Sequence, residues 1–128
     1  MDRVIIVSHG SLKKEANNLQ KLTELLSKKI SFNLENIKHA YLQHATPSVE
    51  DTIRQCINEG ATKIIIFPLF ISSGRHVKND IPEIISKFKK ENPYIDIVYT
   101  EPLGLDEKIA DIIAERIKEA IKSGDEPI

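Results

Sequence analysis

Two histidines follow the two most apolar segments of the chain, and each stands just before a predicted helix. His9 comes shortly after the run VIIV at residues 4–7, and His76 follows the run IIIF at residues 64–67 across a Ser-Ser-Gly turn. Imidazoles that meet in one crevice suit metal ligation, proton transfer or phosphate contact. We therefore take His9 and His76 as the candidate chemical groups of the chain.

As metal ligands, the two imidazoles would favour borderline divalent ions such as cobalt, nickel, iron or zinc. A structural metal site would need more protein ligands, and the single Cys56 offers no cysteine cluster to supply them. An open site that binds a metal ion weakly suits an ion that the protein must pass on to another molecule. If a divalent metal binds here, we therefore expect it as a substrate and not as a permanently bound cofactor.

The elements that must position these residues alternate between strand and helix. Strands are predicted at residues 3–8, 36–42, 63–69 and 94–99, and helices at 13–30, about 46–59, about 79–92 and 105–121. This order predicts an α/β fold with a four-stranded parallel sheet and helices on both faces. The first and third strands are the most apolar and should be central, in the order 2-1-3-4. His9 and His76 would then lie at the switch point of the sheet, where ligands bind.

Other residues of the pattern have structural interpretations. Asn79 or Asp80 is predicted to cap the third helix, Gly60 to end the second one, and Cys56 to be a core residue. The apolar stripes of all the helices are predicted to be core. Residues 1–122 should form one domain, and residues 123–128 a tail.

Composition excludes several classes of function. A net charge of -1 gives no overall attraction to nucleic acid or to a membrane surface. No apolar run approaches the length of a membrane span, and the first residues lead directly into a strand, so we expect no signal peptide and a cytoplasmic protein. There is no Walker loop and no GxGxxG motif, so nucleotide binding is not indicated.

The segment around His9 has a second interpretation, because a histidine followed by glycine after the first strand also occurs in histidine phosphatases. That chemistry needs an arginine immediately before the histidine, and Ser8 occupies this position. Without the guanidinium, a phosphoryl group loses its main partner. We rank this alternative low.

Three stretches together resemble the small form of the sirohydrochlorin chelatases, the CbiX family. They are residues 8–11 (SHGS), residues 40–48 (AYLQHATPS) and, most specifically, residues 68–82 (PLFISSGRHVKNDIP). The resemblance covers essentially the whole chain and implies a three-layer chelatase-like fold. It implies ATP-independent insertion of a divalent metal, cobalt ahead of nickel or iron, into a sirohydrochlorin-type tetrapyrrole in cobalamin or related biosynthesis. It also implies a homodimer.

Within this resemblance, His9 corresponds to the metal-binding and proton-accepting histidine and His76 to the second metal ligand. Contacts to the tetrapyrrole would come from the following residues: Ser11, Gln43, Ile71, Ser72, Ser73, Gly74, Arg75 and His76. Gln43 stands where relatives often have glutamate, and an amide cannot take a proton or bind a divalent cation as a carboxylate does. His39 and His44 are interpreted as surface or packing residues.

Two alternatives remain open beside cobalt insertion into sirohydrochlorin. One is a nickel or iron chelatase acting on the same or an amidated tetrapyrrole. The other is a carrier of metal or tetrapyrrole that does not catalyse insertion.

Overall fold

The computed structural model describes residues 1–11, 19–70 and 75–123, with the backbone alone of residues 75–78. Within these residues, four strands and four helices alternate, as the sequence predicts. In chain order they are β1 (Asp2–Ser8), α1 (Gln20–Ile30), β2 (Ile37–Tyr41), α2 (Val49–Asn58), β3 (Lys63–Pro68), α3 (Arg75–Glu91), β4 (Asp96–Tyr99) and α4 (Glu107–Lys122). A single 3₁₀ turn at Leu34–Asn36 leads into β2.

The four strands form one parallel sheet in the order β2-β1-β3-β4, which confirms the predicted topology. Ile5 in the middle of β1 pairs with Lys38 of β2 on one side and with Ile66 of β3 on the other. The two apolar strands are therefore central. All carboxyl ends of the strands meet at one edge, and β1 and β3 are neighbours there.

Helices lie on both faces of the sheet. Leu22 and Leu26 of α1 pack with Val4 and Ile6 of β1 on one face. The larger core lies on the other face, between the sheet and the helices α2 and α3. Its residues include Ile5, Val7, Ile53, Cys56, Ile64, Ile66, Ile81, Ile85 and Phe88. Cys56 is fully buried, and Gly60 adopts φ +90° after α2, so both predictions are confirmed.

The predicted start of the third helix is wrong. α3 begins at Arg75, so Asn79 and Asp80 lie inside it and cap nothing, and His76 lies in its first turn and not ahead of it. Asn79-Asp80 before Pro82 is typical of a helix start, but such local preferences are weak. The apolar face of the helix, with Ile81 fully buried, packs in the core on both sides of Pro82 and overrides the local signal.

The prediction that every apolar helix stripe is core is wrong for α4. None of its residues is buried, and Ile112, Ile113, Ile117 and Ile121 are all exposed. Periodicity identified the helix correctly, but it could not tell which surface the apolar side would meet. No helix in the described ranges is long and apolar enough to cross a bilayer.

A small cluster of charged residues lies at the end of the sheet opposite to His9 and His76. Glu59, just after α2, accepts hydrogen bonds from Arg3 Nε at 3.2 Å and from Lys38 Nζ at 3.2 Å. Arg3 is buried. Partial burial raises the pKa of the Glu59 carboxyl, but the two hydrogen bonds and the two positive charges outweigh it and leave the pKa below the ordinary 4.5.

Replacement of this carboxylate tests the cluster. Because the pKa of Glu59 is lower in the folded chain, the ionised form stabilises the fold above the unfolded-state pKa, and this contribution is lost as pH falls through the folded-state value. We expect Glu59→Gln to lower the free energy of unfolding by about 1 kcal/mol at about pH 7 and by much less at about pH 3. Urea denaturation at both pH values measures this.

Asp51→Asn is the matched control, because Asp51 pairs with Arg54 in an exposed position on α2. That substitution should change the free energy of unfolding by only about 0.3 kcal/mol. Equal effects of the two substitutions would show that the Glu59 cluster contributes no more than a surface ion pair.

Candidate active site

The side chain of His9 is exposed at the carboxyl end of β1, the position that the sequence predicts. Its backbone continues the pairing with the β2 side beyond the last residue of the strand. Leu42 donates its N–H to the carbonyl of Ser8 at 3.0 Å, and Gln43 donates its N–H to the carbonyl of His9 at 3.0 Å. The imidazole therefore stands on a hydrogen-bonded backbone and is still open to a ligand.

Gly10 allows the two loops to meet. It has φ +91°, and a Cβ atom at this position would lie 1.8 Å from the carbonyl oxygen of Gln43. A separation that short is a steric clash, so no other residue fits without movement of one loop. Sequence reasoning missed this close approach at Gly10. The His-Gly pair at a strand end was the available signal.

The ring of Phe70 packs against the imidazole of His9. The centroids of the two rings are 4.4 Å apart, with an angle of 49° between the planes. Phe70 is itself buried, and its carbonyl accepts a hydrogen bond from the N–H of Gly104 at 3.2 Å. The position of His9 therefore depends on the end of β3 as well as on β1. No local sequence signal could have found this contact, because the two residues are far apart along the chain.

The other predicted residues near the β2 side are arranged as follows. Gln43 is exposed, and its backbone N–H is hydrogen-bonded to the carbonyl of His9. His44 is also exposed and adopts φ +64°. His39 is half-buried on β2, with its ring 5.8 Å from that of Tyr41, and burial lowers its pKa. Ser11 is half-buried in the turn after His9.

The predicted substrate loop falls largely beyond the described residues. Ile71, Ser72, Ser73 and Gly74 lie outside them. Arg75 and His76 are described by their backbone, which forms the first turn of α3. The role of His76 as second metal ligand and the contacts of these six residues stay predictions.

The described geometry supports two kinds of chemistry. An exposed neutral imidazole can bind a metal ion or accept a proton, though not through the same nitrogen at once.

Comparison with known proteins decides the family. The family model described as CbiX matches residues 3–120, which is nearly the whole chain. This chain belongs to the CbiX family. The resemblance inferred from the three sequence stretches is thereby confirmed.

Individual relatives of this CbiX chain differ in length and in the metal that they are named for. A sirohydrochlorin ferrochelatase of Priestia megaterium is 39% identical over 93% of this chain and 44% of its own length. A sirohydrochlorin cobaltochelatase of Sulfurisphaera tokodaii is 32% identical over 94% of both chains. Among solved structures, SirB from Bacillus subtilis with Fe³⁺ has a TM-score of 0.80 and 29% identity over 92% of this chain and 46% of that one. The chain thus spans about half of the longer relatives.

The contact at Gly10 can be tested against a second glycine with the same backbone geometry. Gly60 has φ +90°, but nothing lies within 4 Å of the place where its Cβ would be. We expect Gly60→Ala to cost about 1 kcal/mol from backbone strain alone, and Gly10→Ala to cost about 2–4 kcal/mol because overpacking adds to the strain. Urea unfolding measures both.

A site-specific readout accompanies the stability measurement. The Gly10→Ala substitution should shift the imidazole NMR signals of His9, and the Gly60→Ala substitution should leave them unchanged. Equal losses of stability, with His9 unaffected in both variants, would contradict the role given to this contact.

Proposed function

We propose that this CbiX chain inserts a divalent metal ion into a sirohydrochlorin-type tetrapyrrole without ATP. The observation that carries the proposal is the exposed imidazole of His9 at the carboxyl end of the central strand, in a chain that matches the CbiX family over residues 3–120. The relatives named for this activity, with cobalt or with iron, support the same substrate class.

Cobalt is our first choice of metal. The Sulfurisphaera tokodaii cobaltochelatase corresponds to this chain over almost the full length of both proteins. Iron is the second candidate, because the more similar Priestia megaterium relative is named a ferrochelatase, although it is about twice as long. Imidazole ligands accept both ions, so the order of affinity and the supply of metal would decide between them.

Metal insertion requires two pyrrole N–H protons to leave while the ion loses its water ligands. The ring must also bend, because the inner nitrogens of a flat macrocycle are poorly exposed. We assign to His9 the presentation of the ion and, as ligation passes to the ring nitrogens, the acceptance of the two pyrrole protons one after the other, each released to solvent from the exposed imidazole. General-base assistance of this kind contributes about 10²–10⁴ in rate, and the metal itself supplies Lewis acidity.

Neighbouring groups support these roles. Phe70 holds the imidazole in place from below, with the two ring centroids 4.4 Å apart. The amide of Gln43 can donate or accept a hydrogen bond at the rim of the macrocycle. The predicted second ligand His76 and the predicted substrate contacts at residues 71–75 belong to the same proposal.

We also propose that the chain works as a homodimer. The chain spans about half the length of the Priestia megaterium relative and of the Bacillus subtilis structure. Two copies related by a two-fold axis would restore that length and would set two site mouths opposite each other.

Removal of His9 tests the chelatase proposal. We expect His9→Ala to lower the rate of insertion about 10²-fold or more, because the base and a metal ligand are lost together. The measurement mixes metal-free sirohydrochlorin with Co²⁺ or Fe²⁺ under anaerobic conditions and follows the absorption spectrum of the metallated ring. The rate without protein is the reference.

His44→Asn is the matched control, since His44 is another exposed histidine nearby and asparagine tolerates its positive φ. It should keep the wild-type rate. Near-normal turnover of the His9→Ala protein would remove the assigned role of His9. A wild-type protein that binds the tetrapyrrole but does not accelerate insertion would be a carrier and would overturn the enzyme proposal.

Gln43→Glu examines the departure from the family pattern. A carboxylate at this exposed position can bind the incoming ion and take a proton, so we expect an equal or higher rate and a lower metal concentration at half-maximal rate. Titration of the initial rate with metal gives both quantities. Gln20→Glu, an exposed change of the same charge on α1, controls for net charge. A large loss with Gln43→Glu alone would show that Gln43 does not face the ring as proposed.

A further inference from the structure

The outer edge of β4 carries backbone groups that the sheet does not use. β4 is an edge strand, and no strand within the described residues lies beyond it. Thr100, just after β4, donates its N–H to the carbonyl of Ile66 on β3 at 3.0 Å. Because successive residues of a strand direct their backbone groups to opposite sides, those of Ile97 and Tyr99 point away from β3. The edge therefore offers two N–H donors and two carbonyl acceptors.

An apolar groove runs along this edge, between β4 and α3. It has a volume of about 480 Å³, and its apolar lining consists of Pro82 and Ile85 of α3 with Ile97 and Tyr99 of β4. Ile85 and Ile97 are buried, whereas Pro82 and Tyr99 are exposed. Ligand sites in proteins are typically clefts of about 300–1,000 Å³ with a mainly apolar lining and a few polar groups. The groove has these properties.

Two lysines provide a positive charge at one end of the groove. α3 ends at Glu91 and β4 begins at Asp96, so Lys89 and Lys90, which also line the groove, lie beside the amino end of the strand. Neither lysine takes part in the three ion pairs that the described residues form. Their two charges exceed the negative charge of about one half at a helix C-terminus. This end of the groove therefore suits an anion.

We propose that this edge binds the carboxyl-terminal segment of an extended peptide as a fifth, antiparallel strand, with the terminal carboxylate beside Lys89 and Lys90. The antiparallel direction brings the end of the peptide to the amino end of β4. Its backbone pairs with that of Ile97 and Tyr99, and an apolar side chain enters the groove. An antiparallel edge strand on an otherwise parallel sheet is a common arrangement.

The dimensions of the groove agree with this ligand. Pro82 and Lys90 are eight residues apart on α3, which corresponds to about 12 Å along the helix axis. Four residues of an extended strand span about 13 Å. A tetrapeptide therefore covers the groove and still reaches the lysines. A simple acyl chain would use the apolar lining and the positive charge, but it would leave the backbone groups of Ile97 and Tyr99 unpaired.

A matched pair of peptides tests the proposal. The probe is acetyl-Thr-Val-Thr-Val with a free carboxylate, and its control is the same peptide with a terminal carboxamide. In ¹⁵N NMR titrations of the protein, the amide signals of Ile97 and Tyr99 should shift and their hydrogen exchange should slow. The exchange of Val98, which pairs with Ile65 of β3, should change much less. The carboxylate form should bind about fivefold more tightly, because its charge meets two lysines.

Substitutions separate the charged part of the groove from the apolar part. Lys89→Gln combined with Lys90→Gln should remove the preference for the carboxylate. Lys87→Gln is the matched control and should keep it, since Lys87 lies on the same helix but lines a different depression, with Leu42. Ser86→Phe places a large side chain in the groove and should abolish measurable binding of both peptides. Circular dichroism checks that each variant is folded.

The other outcomes each contradict the proposal. Unchanged signals of Ile97 and Tyr99, or a carboxylate preference that survives the loss of both lysines, would mean that no such peptide site exists. Equal affinity for octanoate would indicate a site for small amphiphiles, and shifts that depend on protein concentration without peptide would mean that the edge pairs with a second copy. No metal or tetrapyrrole is used, so the result is independent of the chelatase proposal.

Discussion

The candidate site depends on backbone hydrogen bonds that continue past the end of β1. Ser8 and His9 accept N–H groups from Leu42 and Gln43 on one side, and Val7 accepts the N–H of Leu69 on the other. These bonds hold the turn that carries His9 between its two neighbours. A chemical group at the end of a central strand is therefore placed by the sheet itself, although its side chain is exposed to solvent.

Close packing refines this placement. Gly10 lets the backbone after His9 touch the carbonyl of Gln43, and the buried ring of Phe70 lies against the imidazole. The carbonyl of Phe70 is tied in turn to Gly104, just before α4. Contributions from three strand ends and from the last loop thus converge on one side chain. These contacts fix the imidazole to which we assign ion binding and proton acceptance in the proposed function.

The two faces of the sheet are covered unequally. One face is covered by α2 and α3 and contains the main core, whereas the half of the other face near β3 and β4 has only half-buried side chains. The helix that follows β4 is amphipathic, but its apolar side is exposed. Burial of apolar area is the dominant favourable term in folding, so the face covered by α2 and α3 contributes most of the stability of the chain.

The sequence alone determined the order of elements, the parallel topology and the position of His9 at the carboxyl edge of the central strand. These features depend on local periodicity and on the handedness of crossovers, which are encoded in short segments. The fit of Gly10 against Gln43, the contact of Phe70 with His9 and the start of α3 at Arg75 were decided only by tertiary structure. They depend on residues that are distant along the chain. The exposure of the α4 stripe belongs with them, because periodicity shows that a helix has an apolar side but not which surface that side will meet.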